Sequence, residues 1–273
     1  MERFEYAGRT CVVTGAASGI GAALAIELAR RGAVLVLVDR DADGLAAVQA
    51  RLAPAKADIE VVDLADGGDR LDLAARVADR HGGVDLLVNN AGVAMSGTFD
   101  QVSMADFDWL MEINLRAVVR LTKAFLPQLL ARPGSHVVTL SSLFGLVAPA
   151  AQVAYATSKF AVRGFSEALR HELAGRVGVT VVHPGGVRTN IAVNARISGP
   201  DPDGRQAAQA RDFSERALTM PPERAARLIV AAVQARKPRL VISGVAKTAD
   251  LLVRLAPGHY WDVIARLIPV KGL

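Results

Sequence analysis

The sequence predicts an α/β fold: a doubly wound, open, seven-stranded parallel sheet flanked by helices. Three observations carry this. Short β-branched apolar runs alternate with longer alanine- and leucine-rich stretches, the order expected of strands joined by crossover helices. The strand runs are nearly continuous in apolar residues, as where both faces of a sheet are covered. A glycine cluster, Thr14-Gly15-Ala16-Ala17-Ser18-Gly19-Ile20-Gly21, follows the first strand and opens the first helix.

The first strand is predicted at Thr10 to Thr14 and the first helix at Ile20 to Arg31. Ala33 to Val38 reads as a strand, Asp41 to Leu52 as a helix, Ile59 to Val62 as a strand and Arg70 to Arg80 as a helix. Asp85 to Val88 and His136 to Leu140 are strands separated by one long helical pattern, Ser103 to Leu130. Val153 to Ala174 follows as a helix, Val179 to His183 as a strand, Pro222 to Ala235 as a helix and Arg239 to Ser243 as the last strand. No repeat interrupts the series, so one domain over 1–273 is expected. Arg196 to Gly204, rich in Gly, Pro and Asp, is the strongest loop signal and reads either as a substrate lid within 188–221 or as an ordinary connection. An apolar tail over 245–273, with Leu251, Leu255, Tyr260 and Trp261, reads as short helices broken at Pro257-Gly258.

Composition excludes several classes. With 273 residues, 51% hydrophobic and 22% charged, the chain can bury a full core and is not disordered. Its net charge of +5 is spread among acids and lacks an aromatic series, so no nucleic-acid partner is expected. No apolar run reaches the length of a membrane span. The single cysteine, Cys11, lies in a strand run and is expected to be buried. Met1 to Arg9 is charged and polar, which predicts no secretory leader and a cytoplasmic setting. The five histidines and Cys11 have no metal-ligand spacing, so no metal is expected.

The glycine cluster has the chemistry of a phosphate cradle. Gly15 permits a sharp turn, Gly19 leaves room for a pyrophosphate, and Gly21 lets the helix pack closely. Free amides at the helix start, from Ser18 through Ile20, then face the anion. Its spacing is Gly-x-x-x-Gly-x-Gly. Asp39, ending the second strand, can accept from an adenosine ribose and would repel a 2′-phosphate; it can also serve as a helix N-cap. Ser18 puts no base where that phosphate would bind. NAD is therefore favoured, while the neighbouring Arg40, able to stack on adenine or bind the phosphate, keeps NADP open.

Tyr155 and Lys159, four apart in a helical stretch, share one face. A phenol of pKa about 10 is a poor base at neutral pH, and a nearby ammonium favours the phenolate. This pair occurs in order with the glycine cluster, Asn89-Asn90-Ala91-Gly92, Asn114, Ser141-Ser142 and Pro184-Gly185-Gly186-Val187-Arg188-Thr189. Together these motifs closely resemble the short-chain dehydrogenase/reductase family, classical type, from about Arg9 to Thr189.

The resemblance implies a Rossmann-type fold and an NAD(P)-dependent oxidoreductase moving a hydride between nicotinamide and a secondary alcohol or ketone. It implies that Tyr155 is the general acid/base, Ser142 holds the substrate oxygen, Lys159 binds the ribose and lowers the phenol pKa, and Asn114 anchors a proton-relay water. It places Asp63 and Leu64 at the adenine, Asn90 and Ala91 beside the cofactor, and Pro184, Gly185, Val187 and Thr189 at the nicotinamide. Asp63 can equally cap a strand end. Phe144, Leu146, Val147, Met95 and the tail suggest an apolar substrate; core packing is the other reading of the same residues. The family implies a homodimer or homotetramer through the Asn114 and Tyr155 helices. The alternatives are an NADP-dependent carbonyl reductase and a non-catalytic dinucleotide sensor; the intact Ser142, Tyr155 and Lys159 set argues against the sensor.

Overall fold

The computed structural model of the chain describes residues 2–66, 69–199 and 217–267, with single positions 204, 208, 211, 212 and 215. The predicted lid thus lies partly outside the described residues, as does the tail beyond 267.

The first half of the chain winds outward from the centre of the sheet. Strand β1 (Thr10–Thr14) leads into helix α1 (Gly19–Ala29), then β2 (Val34–Asp39), α2 (Ala42–Ala50), β3 (Ala57–Val61) and α3 (Asp69–His81). The chain then returns to the middle at β4 (Leu86–Asn89) and adds a two-residue strand, β5 (Met95–Ser96). Helix α4 (Met104–Met111), a π-helical turn (Glu112–Arg116) and helix α5 (Ala117–Ala131) occupy the single long helix predicted by periodicity. Next come β6 (His136–Leu140), α6 (Val153–Glu172), β7 (Gly178–His183), the short β8 (Arg196–Ile197), α7 (Pro222–Gln234), β9 (Arg239–Val241), α8 (Gly244–Leu255) and α9 (Tyr260–Leu267).

The main sheet has seven strands, all parallel, in the order β3-β2-β1-β4-β6-β7-β9. Strand order reverses between β1 and β4, so the carboxyl ends of these two strands flank the switch point where open α/β sheets bind ligands. Alternate side chains feed two cores. Cys11, Val13, Leu35 and Leu37 meet α1, α2 and α7 through Leu24, Leu28, Leu45, Ile229 and Val233. Val12, Val36 and Val38 meet α3 and α5 through Leu73, Val77, Leu121 and Phe125. Burial on both faces explains the unbroken apolar runs.

At the opposite, amino end of the sheet, the fully buried Asp85 carboxylate accepts from Arg9 at 2.7 Å, Arg132 at 3.2 Å and the Thr10 amide at 3.0 Å. These bonds satisfy a buried charge that would otherwise be costly. They tie β1, the entry to β4 and the end of α5 together, leaving the other end of the sheet for a ligand. Among the described residues, no helix is long and apolar enough to cross a membrane.

Candidate active site

The glycine cluster forms the tight corner between β1 and α1. Gly15 has φ +67°, and a Cβ there would stand 2.8 Å from Ala91 Cα and from Asn90 Nδ2. A Cβ on Gly21 would lie 1.9 Å from the Gly15 carbonyl oxygen, so only glycine lets α1 start this close to the loop. The exposed Ser18 is the N-cap residue of α1, its side chain caps no amide, and the first turn holds no acid. The amides of Gly19, Ile20 and Gly21 therefore begin the helix without intrahelical partners, the condition for holding an anion. Thr189 arrives from across the sheet: a Cβ on Gly19 would come 3.1 Å from Thr189 Cγ2.

Asn90 and Thr14 bind the two switch-point strands. Asn90 Nδ2 donates to the carbonyls of Thr14 (2.8 Å) and Gly15 (3.2 Å), while Thr14 Oγ1 accepts from the amides of Asn90 and Ala91, each at 3.0 Å. At the end of β2, Asp39 accepts from the Ala17 amide at 3.1 Å and the Asp41 amide at 3.2 Å. It is not the N-cap of α2: Asp41 fills that role, accepting from Gly44. Arg40 beside it is exposed. Asp63 accepts from the Ala65 amide at 2.8 Å, the strand-end turn expected as one reading, and Leu64 is buried in the core.

On the other side of the switch point, β6, α6 and β7 bring three side chains together. Tyr155 and Lys159 lie on one buried face of α6, with Lys159 Nζ 5.7 Å from the Tyr155 ring centroid. Nζ donates to the Leu140 carbonyl at 3.1 Å. Burial pushes the Lys159 pKa down to about 8. Burial pushes the Tyr155 phenol up, and a hydrogen bond with the Ser142 hydroxyl opposes it. Lys159 is not among the groups that shift the phenol here; removing the phenolate from water costs more than the Ser142 hydroxyl returns.

Ser142 also accepts from the Phe144 amide at 3.1 Å. Ser141 is turned away and donates to the Lys159 carbonyl at 2.9 Å, a purely anchoring bond. Pro184 accepts from the Leu143 amide at 2.8 Å, and Val187 pairs with Met220. A Cβ on Gly185 would come 3.0 Å from Ala246 Cβ, so this turn packs against the start of α8. Asn114, in the π-turn, bonds the Val93 backbone at both its amide (2.8 Å) and carbonyl (2.9 Å), and donates to Ser158 at 3.1 Å. π-turns are frequent at functional sites.

An apolar wall adjoins Tyr155: Met95, Leu110, Trp109, Phe144 and Ile191 cluster with it, and the Phe144 ring meets the phenol edge-on at 6.1 Å. Leu146 and Val147 are buried outside this cluster. Sequence reading overlooked Ile191, Trp109 and the clasp beside them. Arg196 stacks 3.7 Å from the Trp109 ring centroid and pairs with Asp106, pinning β8 to α4. The tail also reaches this side, where Tyr260 Oη accepts from the Ala148 amide at 3.2 Å. No local motif announces these partners, which are 90 and 112 residues apart.

The model for short chain dehydrogenases matches residues 9–198. The chain belongs to the short-chain dehydrogenase family. Membership makes it an oxidoreductase. A Mycobacterium tuberculosis protein named "Putative oxidoreductase SadH" is 41% identical over 278 residues, covering 97% of this chain and 96% of its own. A family member from Burkholderia phymatum in complex with NAD superposes with a TM-score of 0.86 at 30% identity, over 93% of this chain and 95% of that one. Another, from Burkholderia cenocepacia in complex with NADP, gives 0.75 at 30% identity, over 90% and 100%. The residues here fit a dinucleotide on their own evidence. The glycine corner has no room for side chains, the α1 amides are uncapped, and Lys159 Nζ has N–H groups beyond its one bond to Leu140.

Proposed function

We propose that this chain reduces an apolar ketone, or oxidises the corresponding secondary alcohol, with NAD as cofactor. The observation that carries this reading is the convergence of Ser142, Tyr155 and Lys159 on one buried spot against the wall of Met95, Phe144 and Ile191. That apolar wall suits a substrate with an apolar body and one polar oxygen.

When bound, the nicotinamide supplies or takes the hydride. Ser142 donates to the substrate oxygen and stabilises its developing charge. Tyr155 gives its proton to that oxygen during reduction and removes it during oxidation. Lys159, held by the Leu140 carbonyl, would bind the ribose hydroxyls and bias the phenol toward ionisation. Asn114 would anchor a relay water. Gly15, Ser18, Gly19, Ile20 and Gly21 would hold the pyrophosphate, with Asn90 and Ala91 beside it. Asp63 and Leu64 would border the adenine, and Pro184, Gly185, Val187 and Thr189 the nicotinamide. Asp39 supports NAD by charge and by its fixed position; exposed Arg40 supports NADP as the second reading.

The test is a screen of hydroxysteroids, aliphatic alcohols and diketones with each cofactor, followed by absorbance of the reduced nicotinamide. Tyr155→Phe should lower turnover at least about a hundredfold while leaving cofactor binding intact in a fluorescence titration. Unchanged turnover in that variant defeats the acid/base assignment. We also propose self-association through α5 and α6, which expose Val119 and Phe160. Light scattering at micromolar concentration should show a dimer or tetramer; a monomer refutes it.

A further inference from the structure

His183 ends β7 and is fully buried, yet neither the phosphate cradle nor the reacting groups include it. Its Nδ1 lies 3.1 Å from the Ser142 carbonyl oxygen. A carbonyl only accepts, so the ring must carry its proton on Nδ1 to make this bond. Its Nε2 is buried and has no hydrogen-bond partner among the described residues, which is compatible with a neutral ring bearing that single proton. The charges acting on the ring come from Arg239 on β9 and from Arg163 and Glu167 on α6; burial dominates and moves its pKa down to about 4.

The bond completes a clamp. The Ser142 carbonyl also accepts from the Gly145 amide at 3.0 Å, and the Leu143 amide, the other half of the same peptide, donates to Pro184 at 2.8 Å. Three hydrogen bonds therefore fix one peptide plane, and two of them come from consecutive residues, His183 and Pro184, at the end of β7. That plane sets the backbone angle of Ser142 and so the direction of its Cα–Cβ bond. We propose that His183 is a positioning residue: by holding the Ser142 peptide it aims the hydroxyl that meets the substrate oxygen. This rests on the role given to Ser142 above. Outer partners that orient metal ligands commonly matter about ten- to a hundredfold, and a misplacement of about 1 Å can cost about a hundredfold in rate.

The test uses the full chain with NADH, benzil as an apolar diketone probe, and four variants. His183→Leu should cut kcat about tenfold with KM for benzil and NADH affinity within about twofold. His183→Asn, whose side-chain amide can donate to the same carbonyl, should restore most of the loss. In a Ser142→Ala background, His183→Leu should cost nothing further, because the histidine acts only through that hydroxyl. Wild-type kcat in His183→Leu beside an impaired Ser142→Ala overturns the proposal and leaves the Ser142 role intact. An equal loss in both backgrounds also overturns it, since a general structural defect would be additive. Full turnover in Ser142→Ala removes the role of Ser142 and that of His183 with it. Independently of turnover, nitrogen NMR of histidine-labelled protein should show His183 neutral and Nδ1-protonated at pH 7; an Nε2-protonated ring overturns the proposal outright.

Discussion

The Asp39 carboxylate receives two backbone amides, from Ala17 in the glycine corner and from Asp41 at the start of α2. Its charge is therefore fixed at the carboxyl end of β2, beside the cradle. Asp39→Ser removes the charge and loosens both bonds. NADH affinity should fall about tenfold, a loss of roughly 1.4 kcal/mol, and NADPH affinity should rise; fluorescence titration of both cofactors checks this. Unchanged discrimination would show that Asp39 serves only the loop. The acid was legible at this position because a strand end followed by turn residues marks it. Its bond to the Ala17 amide was not legible, since the loop geometry that delivers that amide depends on how α1 leaves the sheet. Lys159 teaches the converse. Its partnership with Tyr155 follows from helical spacing, but the direction of the phenol pKa depends on burial, which only packing supplies.

The π-turn coincides with one buried polar side chain, Asn114. Periodicity over Ser103 to Leu130 is helical throughout, and the structure keeps that path. It interrupts the register at Glu112–Arg116, where Asn114 reaches the Val93 backbone and Ser158. Asn114→Ala leaves the Val93 amide and carbonyl without these partners and should destabilise the protein by about 2–4 kcal/mol. Calorimetry should record the lowered Tm, and turnover should fall with it. A change within about 0.5 kcal/mol would mean that the turn is held by packing alone. The partners lie 21 and 44 residues away, so no local pattern predicts the turn. Strands β5 and β8 were missed for a similar reason. Two residues are too few for periodicity, and their pairing is held by the Arg196 contact to Trp109 and Asp106.

At the scale of the whole molecule, two buried histidines link folding to pH. Burial moves His136 down to about 3 and His183 down to about 4. Both values lie below the unfolded pKa near 6.5. The unfolded chain therefore binds protons first as pH falls, and this part of the stability is present above about 6.5 and lost as pH drops toward 4. Each histidine should contribute a slope of about 1.4 kcal/mol per pH unit in that window. Urea unfolding between pH 7 and 4 should show the decline, and His136→Gln should reduce its slope; an unchanged slope in that variant refutes the linkage for His136. The sequence by itself determined the order of strands and helices, the two-sided burial of the sheet, the glycine corner and the Tyr155–Lys159 spacing, because each is written in neighbouring residues through period, turn chemistry and helical reach. Only the tertiary structure decided the clamp on the Ser142 peptide, the Asp85 tie, the apolar wall and the docking of Tyr260. Each joins groups from distant parts of the chain, and its energy comes from burial and from hydrogen bonds that exist only after the sheet and its helices have assembled.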